Sequence, residues 1–274
     1  MNKIGFMQGR LSPMIDNKIQ CFPWGFWEDE FISGSSAGFS LIEWTIDQDR
    51  FHENPLNTKQ GQERINSLIR QYKISVPSVT GDCFMQRPFY KAIGKDQESL
   101  LNDFRVLCKS VNTIGGKFIV IPLVDNGALK NQNEEDTIVN ILLENYHFFK
   151  ENQLQIIFES DYIPKEVLRF ISRLPEDTFG INFDSGNSAA LGFDSNEEFA
   201  LFGHRILNIH IKDRIRGGTT VPLGEGNCHF NDVFKNIKKI GYQGNIILQT
   251  ARAKNNDHLE VLVKYKQFVE ENLK

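Results

Sequence analysis

Residues 154–184, LQIIFESDYIPKEVLRFISRLPEDTFGINFD, carry the pattern that organises the whole chain. The segment opens on the apolar run Leu154-Gln155-Ile156-Ile157-Phe158 and closes on a second, Phe179-Gly180-Ile181-Asn182-Phe183. Between them Val167, Phe170, Ile171 and Leu174 follow the i, i+3, i+4, i+7 spacing of one helix face. Short runs rich in β-branched and aromatic residues read as strands buried on both faces, the habit of parallel sheets. The segment is therefore strand, helix, strand, and each strand ends on an acidic residue, Glu159 and Asp184.

The same alternation extends in both directions. Upstream lie Lys3-Ile4-Gly5-Phe6-Met7, Phe39-Ser40-Leu41-Ile42-Glu43, Ile74-Ser75-Val76-Pro77-Ser78-Val79 and Lys117-Phe118-Ile119-Val120-Ile121; downstream lie Ile206-Leu207-Asn208-Ile209 and Asn245-Ile246-Ile247-Leu248. Helical stripes separate them, among them Ile65, Leu68, Ile69 and Tyr72; Leu100, Phe104, Leu107, Cys108 and Val111; and Leu259, Leu262, Val263 and Val269. Gly38, Gly115-Gly116 and Gly241 stand where left-handed helix C-caps are expected. Eight strands starting about every 35 residues predict an α/β chain folded as a (β/α)8 TIM barrel. No linker or composition shift divides the sequence, so residues 1–274 read as a single domain. A doubly wound open sheet would want a Gly-rich phosphate turn after the first strand, and Gly5-Phe-Met-Gln-Gly9-Arg10 lacks the GxGxxG spacing.

A chain of 274 residues that is 40% hydrophobic and 11% aromatic can bury a large core, which excludes disorder. Lys and Arg number 31 against 35 Asp and Glu, a net charge of −4, which argues against a nucleic-acid partner. The start, MNKIGFMQGR, shows no secretory signal pattern, and no apolar run is long enough to cross a membrane, so no membrane partner is expected. Cys21, Cys83, Cys108 and Cys228 lie far apart with no CxxC pair and read as reduced thiols of a cytoplasmic protein.

In a barrel, chemistry belongs at the carboxyl ends of the strands. There the late strands offer Glu159, Asp184, His210 and Gln249 in succession. Oxygen and imidazole donors together suit a borderline-to-hard divalent cation such as Mn²⁺, Mg²⁺, Co²⁺ or Zn²⁺; the alternative is that these ends are merely solvated.

These residues carry a resemblance. Ile157-Phe-Glu159, Asn182-Phe-Asp184-Ser-Gly-Asn187, Ile209-His210-Ile-Lys212-Asp213 and Val221-Pro-Leu-Gly-Glu-Gly226 resemble the xylose isomerase-like barrel superfamily. Within it they are most similar to the sugar and sugar-phosphate isomerase/epimerase branch, which includes L-ribulose-5-phosphate 3-epimerase and hexulose epimerases. The likeness runs from Ile4-Gly-Phe-Met-Gln-Gly-Arg10 to Gly241-Tyr242-Gln-Gly244-Asn-Ile. It implies one divalent ion, Mn²⁺ being favoured, with Glu159, Asp184 and His210 on its ligand positions. It further implies a sugar or sugar phosphate as substrate, Glu159 as catalytic base, and a homodimer or homotetramer. By the same resemblance Arg216 falls where some relatives hold a substrate hydroxyl, and Asn187 where relatives carry histidine or asparagine.

Gln249 departs from the family pattern, which places there a glutamate that is both fourth ligand and second proton-transfer carboxylate. An amide oxygen still coordinates, but carries no charge and moves no proton. With Glu159 the only evident carboxylate base, aldose–ketose isomerisation by a single base fits this inventory better than two-base epimerisation. Glu225 or Asp213 would supply the second proton in the other case.

Around this cluster, Arg10 and Arg252 follow the first and last strands, each placed either to meet a phosphate or sugar hydroxyls or to pair neighbouring loops. Glu43 ends the second strand and contacts either ligand or protein, and Glu225 is assigned to the substrate side. Asp82, Asp125 and Asn126 follow the third and fourth strands. Of Lys212 and Asp213, strand alternation turns one away from the site. Phe22, Trp24, Phe26 and Trp27 read as packing on the rim rather than as a pocket wall. His52, His147, His204, His229 and His258 lack ligand spacing. Two other classes compete: a sugar-binding barrel retired from catalysis, for which Gln249 speaks, and a DNA-repair endonuclease, which needs more metal ligands than these strand ends offer.

Overall fold

The computed structural model describes residues 2–16 and 18–274. Eight strands form a closed barrel: β1 (Lys3–Met7), β2 (Leu41–Thr45), β3 (Ser75–Thr80), β4 (Phe118–Leu123), β5 (Gln155–Ser160), β6 (Phe179–Asp184), β7 (Ile206–Ile211) and β8 (Asn245–Leu248). Every neighbouring pair is parallel, and β1 closes the ring between β8 and β2. This is the (β/α)8 barrel the periodicity predicts. Several strands run one or two residues past the apolar runs, because backbone pairing continues through polar residues at the mouth. Glu159, Asp184 and His210 thereby lie within strands, paired as Pro122–Glu159 and Asp184–His210.

The helices are α1 (Asp29–Ser36), α2 (Lys59–Tyr72), α3 (Asp82–Gln86), α4 (Gly94–Thr113), α5 (Gln132–Glu144), α6 (Tyr146–Glu151), α7 (Pro164–Ile171), α8 (Ser185–Leu191), α9 (Ser195–Phe202), α10 (Phe230–Lys239) and α11 (His258–Leu273). Their starts are written in the sequence: Thr58 caps α2 by accepting from Gly61 N at 3.1 Å, and Asn131 caps α5 through Glu134 N at 3.0 Å. Gly38, Gly115 and Gly241 take positive φ after their helices, as their positions imply. A short antiparallel hairpin, Asp213–Arg214 with Thr220–Val221, follows β7 and has no counterpart in the sequence pattern.

The main core lies between barrel and helices and is dense in aromatics; Phe89 and Phe104 stack at 5.2 Å, and Phe84 meets Phe104 edge-on at 5.1 Å. Phe22 and Trp27 each pack 5.5 Å from the buried Trp44, and Trp24 lies 4.7 Å from Phe22, while Phe26 is exposed. Rim packing thus accounts for Phe22, Trp24 and Trp27 but not for Phe26. Met7, Leu41 and Ile247 form a small separate cluster. They share a strand face with Glu43 and Gln249, the face turned into the lumen. Among the described residues no helix is long and apolar enough to cross a membrane, and all four cysteines are free thiols.

β1 and β2 approach closely because Gly5 has no side chain. A Cβ there would lie 2.5 Å from Leu41 Cβ and 2.7 Å from its carbonyl oxygen. Backbone blocks the relief, so Gly5→Ala is expected to cost about 1–3 kcal/mol, read as a lower denaturation midpoint in urea. An unchanged midpoint would show that the barrel seam opens without penalty.

Candidate active site at the barrel mouth

Glu159, Asp184 and His210 come from three adjacent strands and are all buried. One ligand atom from each lies within 4.8 Å of the others, and among the described residues this is the one such group of His, Cys, Asp and Glu. His210 Nδ1 is 3.4 Å from Glu159 Oε2 and 3.7 Å from Asp184 Oδ2.

Each donor is oriented by its neighbours. Asp184 is the N-cap of α8: its Oδ1 accepts from the backbone N–H groups of Gly186 and Asn187, both at 2.8 Å, which leaves Oδ2 facing the cluster. Burial penalises its charge, but Lys212 and His210 nonetheless hold the carboxyl down at about 2. Glu159 accepts from Asn182 Nδ2 at 3.0 Å on one oxygen and from Asn187 Nδ2 on the other.

Beneath them lies Glu43, fully buried. It receives Ser78 Oγ at 2.6 Å, Thr80 Oγ1 at 2.5 Å, Asn208 Nδ2 at 2.9 Å and His210 Nε2 at 2.7 Å. Against the cost of burial this pairing draws the Glu43 carboxyl below its ordinary value and raises the His210 imidazole well above its own. With Nε2 held by Glu43, Nδ1 is the nitrogen turned to the cluster, and Asn182 Nδ2 sits 3.1 Å from it.

Above the cluster opens a cavity of about 390 Å³, lined by Gln20, Asp82, Glu159, Lys212, Arg214 and Gln249 among others. Lys212 Nζ lies 3.4 Å from Asp184 Oδ2, 3.2 Å from Asn187 Oδ1 and 3.1 Å from Gln249 Oε1. Gln249 Nε2 donates to Gln20 Oε1 at 2.8 Å, and Gln20 Nε2 donates to Asp82 Oδ2 at 2.7 Å. Burial, with Asp47 and Glu159 adding repulsion, pushes the Asp82 carboxyl up to about 7 despite the Gln20 hydrogen bond. Gln20 escaped sequence reading because it lies outside any strand end, in the loop between β1 and α1.

Several assignments change. Arg216 is exposed, its guanidinium against Gly192; Arg214, two residues earlier, reaches the site and donates to Asn187 Oδ1 at 2.7 Å. Arg214 lies in the paired strand of the hairpin, whereas Arg216 lies beyond it in the turn. Arg10 does not line the cavity. It is buried, donating to Thr250 O at 2.9 Å, Ile19 O at 2.7 Å and Gln20 Oε1 at 3.2 Å, so it holds the loop that carries Gln20. Arg252 likewise binds the carbonyls of Gly9 and Ser12. Glu43 touches protein on all sides and cannot meet a substrate. Glu225 is exposed outside the cavity lining. Asp213 is spent on the backbone N–H groups of Gly224, Gly226 and Cys228 at 2.8–3.0 Å, which makes Lys212 the member of that pair facing the site. Asp82 and Asp125 do line the cavity. Asn126 donates instead to the carbonyls of Met85 and Gln86.

Two carboxylates and an imidazole, buried, converging and pre-oriented, are a donor set that fits a divalent cation. Residues 34–265 match the family described as xylose isomerase-like TIM barrel. The chain belongs to that family. A protein of Escherichia coli (strain K12) named "Putative L-ribulose-5-phosphate 3-epimerase SgbU" is 22% identical over 264 residues, which cover 89% of this chain and 90% of that protein. In fold the chain resembles D-allulose 3-epimerase from Methylomonas sp., with a TM-score of 0.78, 14% identity and coverage of 99% of this chain and 98% of that one. It also resembles the IOLI protein crystallised with a zinc atom, with a TM-score of 0.77, 15% identity and coverage of 99% and 98%.

In this xylose isomerase-like barrel, truncating Glu43 would leave His210 and three hydrogen-bond donors unpaired in the lumen. Glu43→Ala is expected to cost about 3–5 kcal/mol of folding stability, measured by urea denaturation. Asp82 has a further signature. Because its carboxyl is raised in the folded state, its contribution is complete below the ordinary carboxylate range and is lost as pH rises toward 7. The stability of Asp82→Asn relative to wild type is therefore expected to grow between pH 5 and pH 8 by about 1–3 kcal/mol. A difference constant across that range would place an ordinary carboxylate at 82.

Proposed function

We propose that the barrel mouth is the active site of a sugar or sugar-phosphate isomerase or epimerase that moves protons at a carbon next to a carbonyl, with Glu159 as the base. The observation that carries this reading is the state of Glu159: a buried carboxylate held on both oxygens by the Asn182 and Asn187 amides, at the wall of a polar cavity. A solvated strand end would not be clamped in this way. Membership of the family and the epimerase names of its relatives agree with it.

Glu159, Asp184 and His210 would hold one divalent ion, Mn²⁺ being favoured, with the amide oxygen of Gln249 as the remaining donor. Such an ion, when bound, polarises a carbonyl and stabilises developing negative charge on oxygen. The protein's own groups do the rest. Glu159 takes the proton from the carbon beside the carbonyl, and its two amide partners keep one face of the carboxylate toward the cavity. Arg214 and Lys212 stand where they would meet substrate oxygens, or a phosphate in a phosphorylated substrate. The cavity offers hydrogen-bonding groups on several walls, as a polyhydroxylated ligand requires.

The case for single-base isomerisation depends on the absence of a second proton-transfer group, and Asp82 removes that premise. Its carboxyl faces the same cavity as Glu159 and, held near 7, is able both to give and to take a proton at neutral pH. Two-base epimerisation is therefore the reaction we favour, Glu159 acting with Asp82 where Glu225 and Asp213 are out of reach.

The purified protein, supplied with Mn²⁺ and a panel of ketopentoses, ketohexoses and their phosphates in D₂O, is expected to place deuterium at the carbon beside the carbonyl. Glu159→Gln should keep the fold and lose about 10²–10⁴-fold in kcat, the usual worth of a positioned base. Turnover at the wild-type rate in that variant would remove Glu159 from the mechanism.

A further inference from the structure

The group nearest to a cation in this donor set belongs to the chain itself. Lys212 Nζ is within 3.1–3.4 Å of Asp184 Oδ2, Asn187 Oδ1 and Gln249 Oε1, and two of those oxygens are ones a metal ion would need. This lysine is not a surface side chain that happens to fold inward. Its side chain is 13% exposed. Its backbone is pinned on both sides by one hydroxyl: Ser185 Oγ donates to Lys212 O at 2.7 Å and accepts from Lys212 N at 3.0 Å. Its aliphatic stem runs over Gly186, where a Cβ would lie 2.6 Å from Lys212 Cγ and 2.9 Å from its Cβ. The first turn of α8 is thus shaped to let the stem pass toward the cluster.

Gln249 is committed to the same arrangement. Because its Nε2 donates to Gln20 Oε1, its oxygen turns to the lysine. A glutamate at 249 would set a carboxylate oxygen against the Gln20 oxygen, two acceptors with no proton between them. Arg214 adds a second cation at this edge, since its guanidinium and Lys212 Nζ both donate to Asn187 Oδ1, at 2.7 and 3.2 Å.

We propose that Lys212 is the resident counter-ion of this site, so that a divalent cation enters only in competition with its ammonium. The inference rests on the reading of Glu159, Asp184 and His210 as metal donors. Two positive charges brought into contact distance of an ammonium, with no third carboxylate to offset them, repel strongly at short range. The lysine and the amide at 249 together make the site weak for metal, whereas either alone would leave a net attraction.

The test is Mn²⁺ affinity of the chelator-stripped protein at one fixed pH, by calorimetry or by the electron spin resonance signal of free Mn²⁺. Lys212→Met and Lys212→Gln, checked for a wild-type melting transition, are expected to bind at least about tenfold more tightly than wild type, since a neighbouring charge is worth that much even at an effective dielectric constant of about 20. Adding Asp184→Ala should abolish the gain. Unchanged or weaker binding in both lysine variants, no binding in any protein, or a gain that survives Asp184→Ala would each overturn the proposal. The readout does not depend on turnover: a protein inactive on every ketose would count against the proposed function and leave the affinity comparison to decide this one.

Discussion

A carboxylate with no access to water stands at the centre of this barrel, and the arrangement of the mouth depends on satisfying it. Burying an ionised Glu43 without partners would cost far more than the fold can spare. Four donors meet it, from β3 and from β7, so that a single side chain on β2 ties together strands on opposite parts of the ring. The consequence for chemistry is direct. Glu43 claims Nε2 of His210, Nδ1 is thereby turned to Glu159 and Asp184, and Asn208, held between Glu43 and Asn182, orients the amide that clamps Glu159.

A second layer of polar contacts governs the upper wall. Glu30 accepts from the backbone N–H groups of Gly9 and Leu11, and Arg10 and Arg252 bind carbonyls of the neighbouring segments. These contacts do not touch the cavity, yet they deliver Gln20 to it. Gln20 then orients Gln249 and supports Asp82. Two arginines that look like ligands in the linear chain thus act as struts, and the polar residue they position is the one that meets the cavity.

The electrostatic character of the site follows from the same packing. Asp184 is kept ionised by its helix cap and by Lys212, while Asp82, equally buried but facing other carboxylates, is raised. Two acids of the same type are driven in opposite directions by their surroundings, Asp184 within the donor cluster and Asp82 in the wall of the neighbouring cavity.

The barrel, its eight strands and the convergence of Glu159, Asp184 and His210 were legible in the linear sequence. Apolar period and strand-end position are local properties, and a parallel barrel sends every strand end to one face. What the sequence could not disclose was which way each polar side chain turns and what it meets. Arg214 and Arg216 differ by two residues on a hairpin that periodicity does not register; Glu43 is indistinguishable from a ligand-facing residue until its four partners are in place; Asp82 becomes a proton-transfer candidate only when burial, Asp47 and Glu159 act on it together. Those are sums over neighbours far apart in the chain, and only the closed barrel brings the neighbours together.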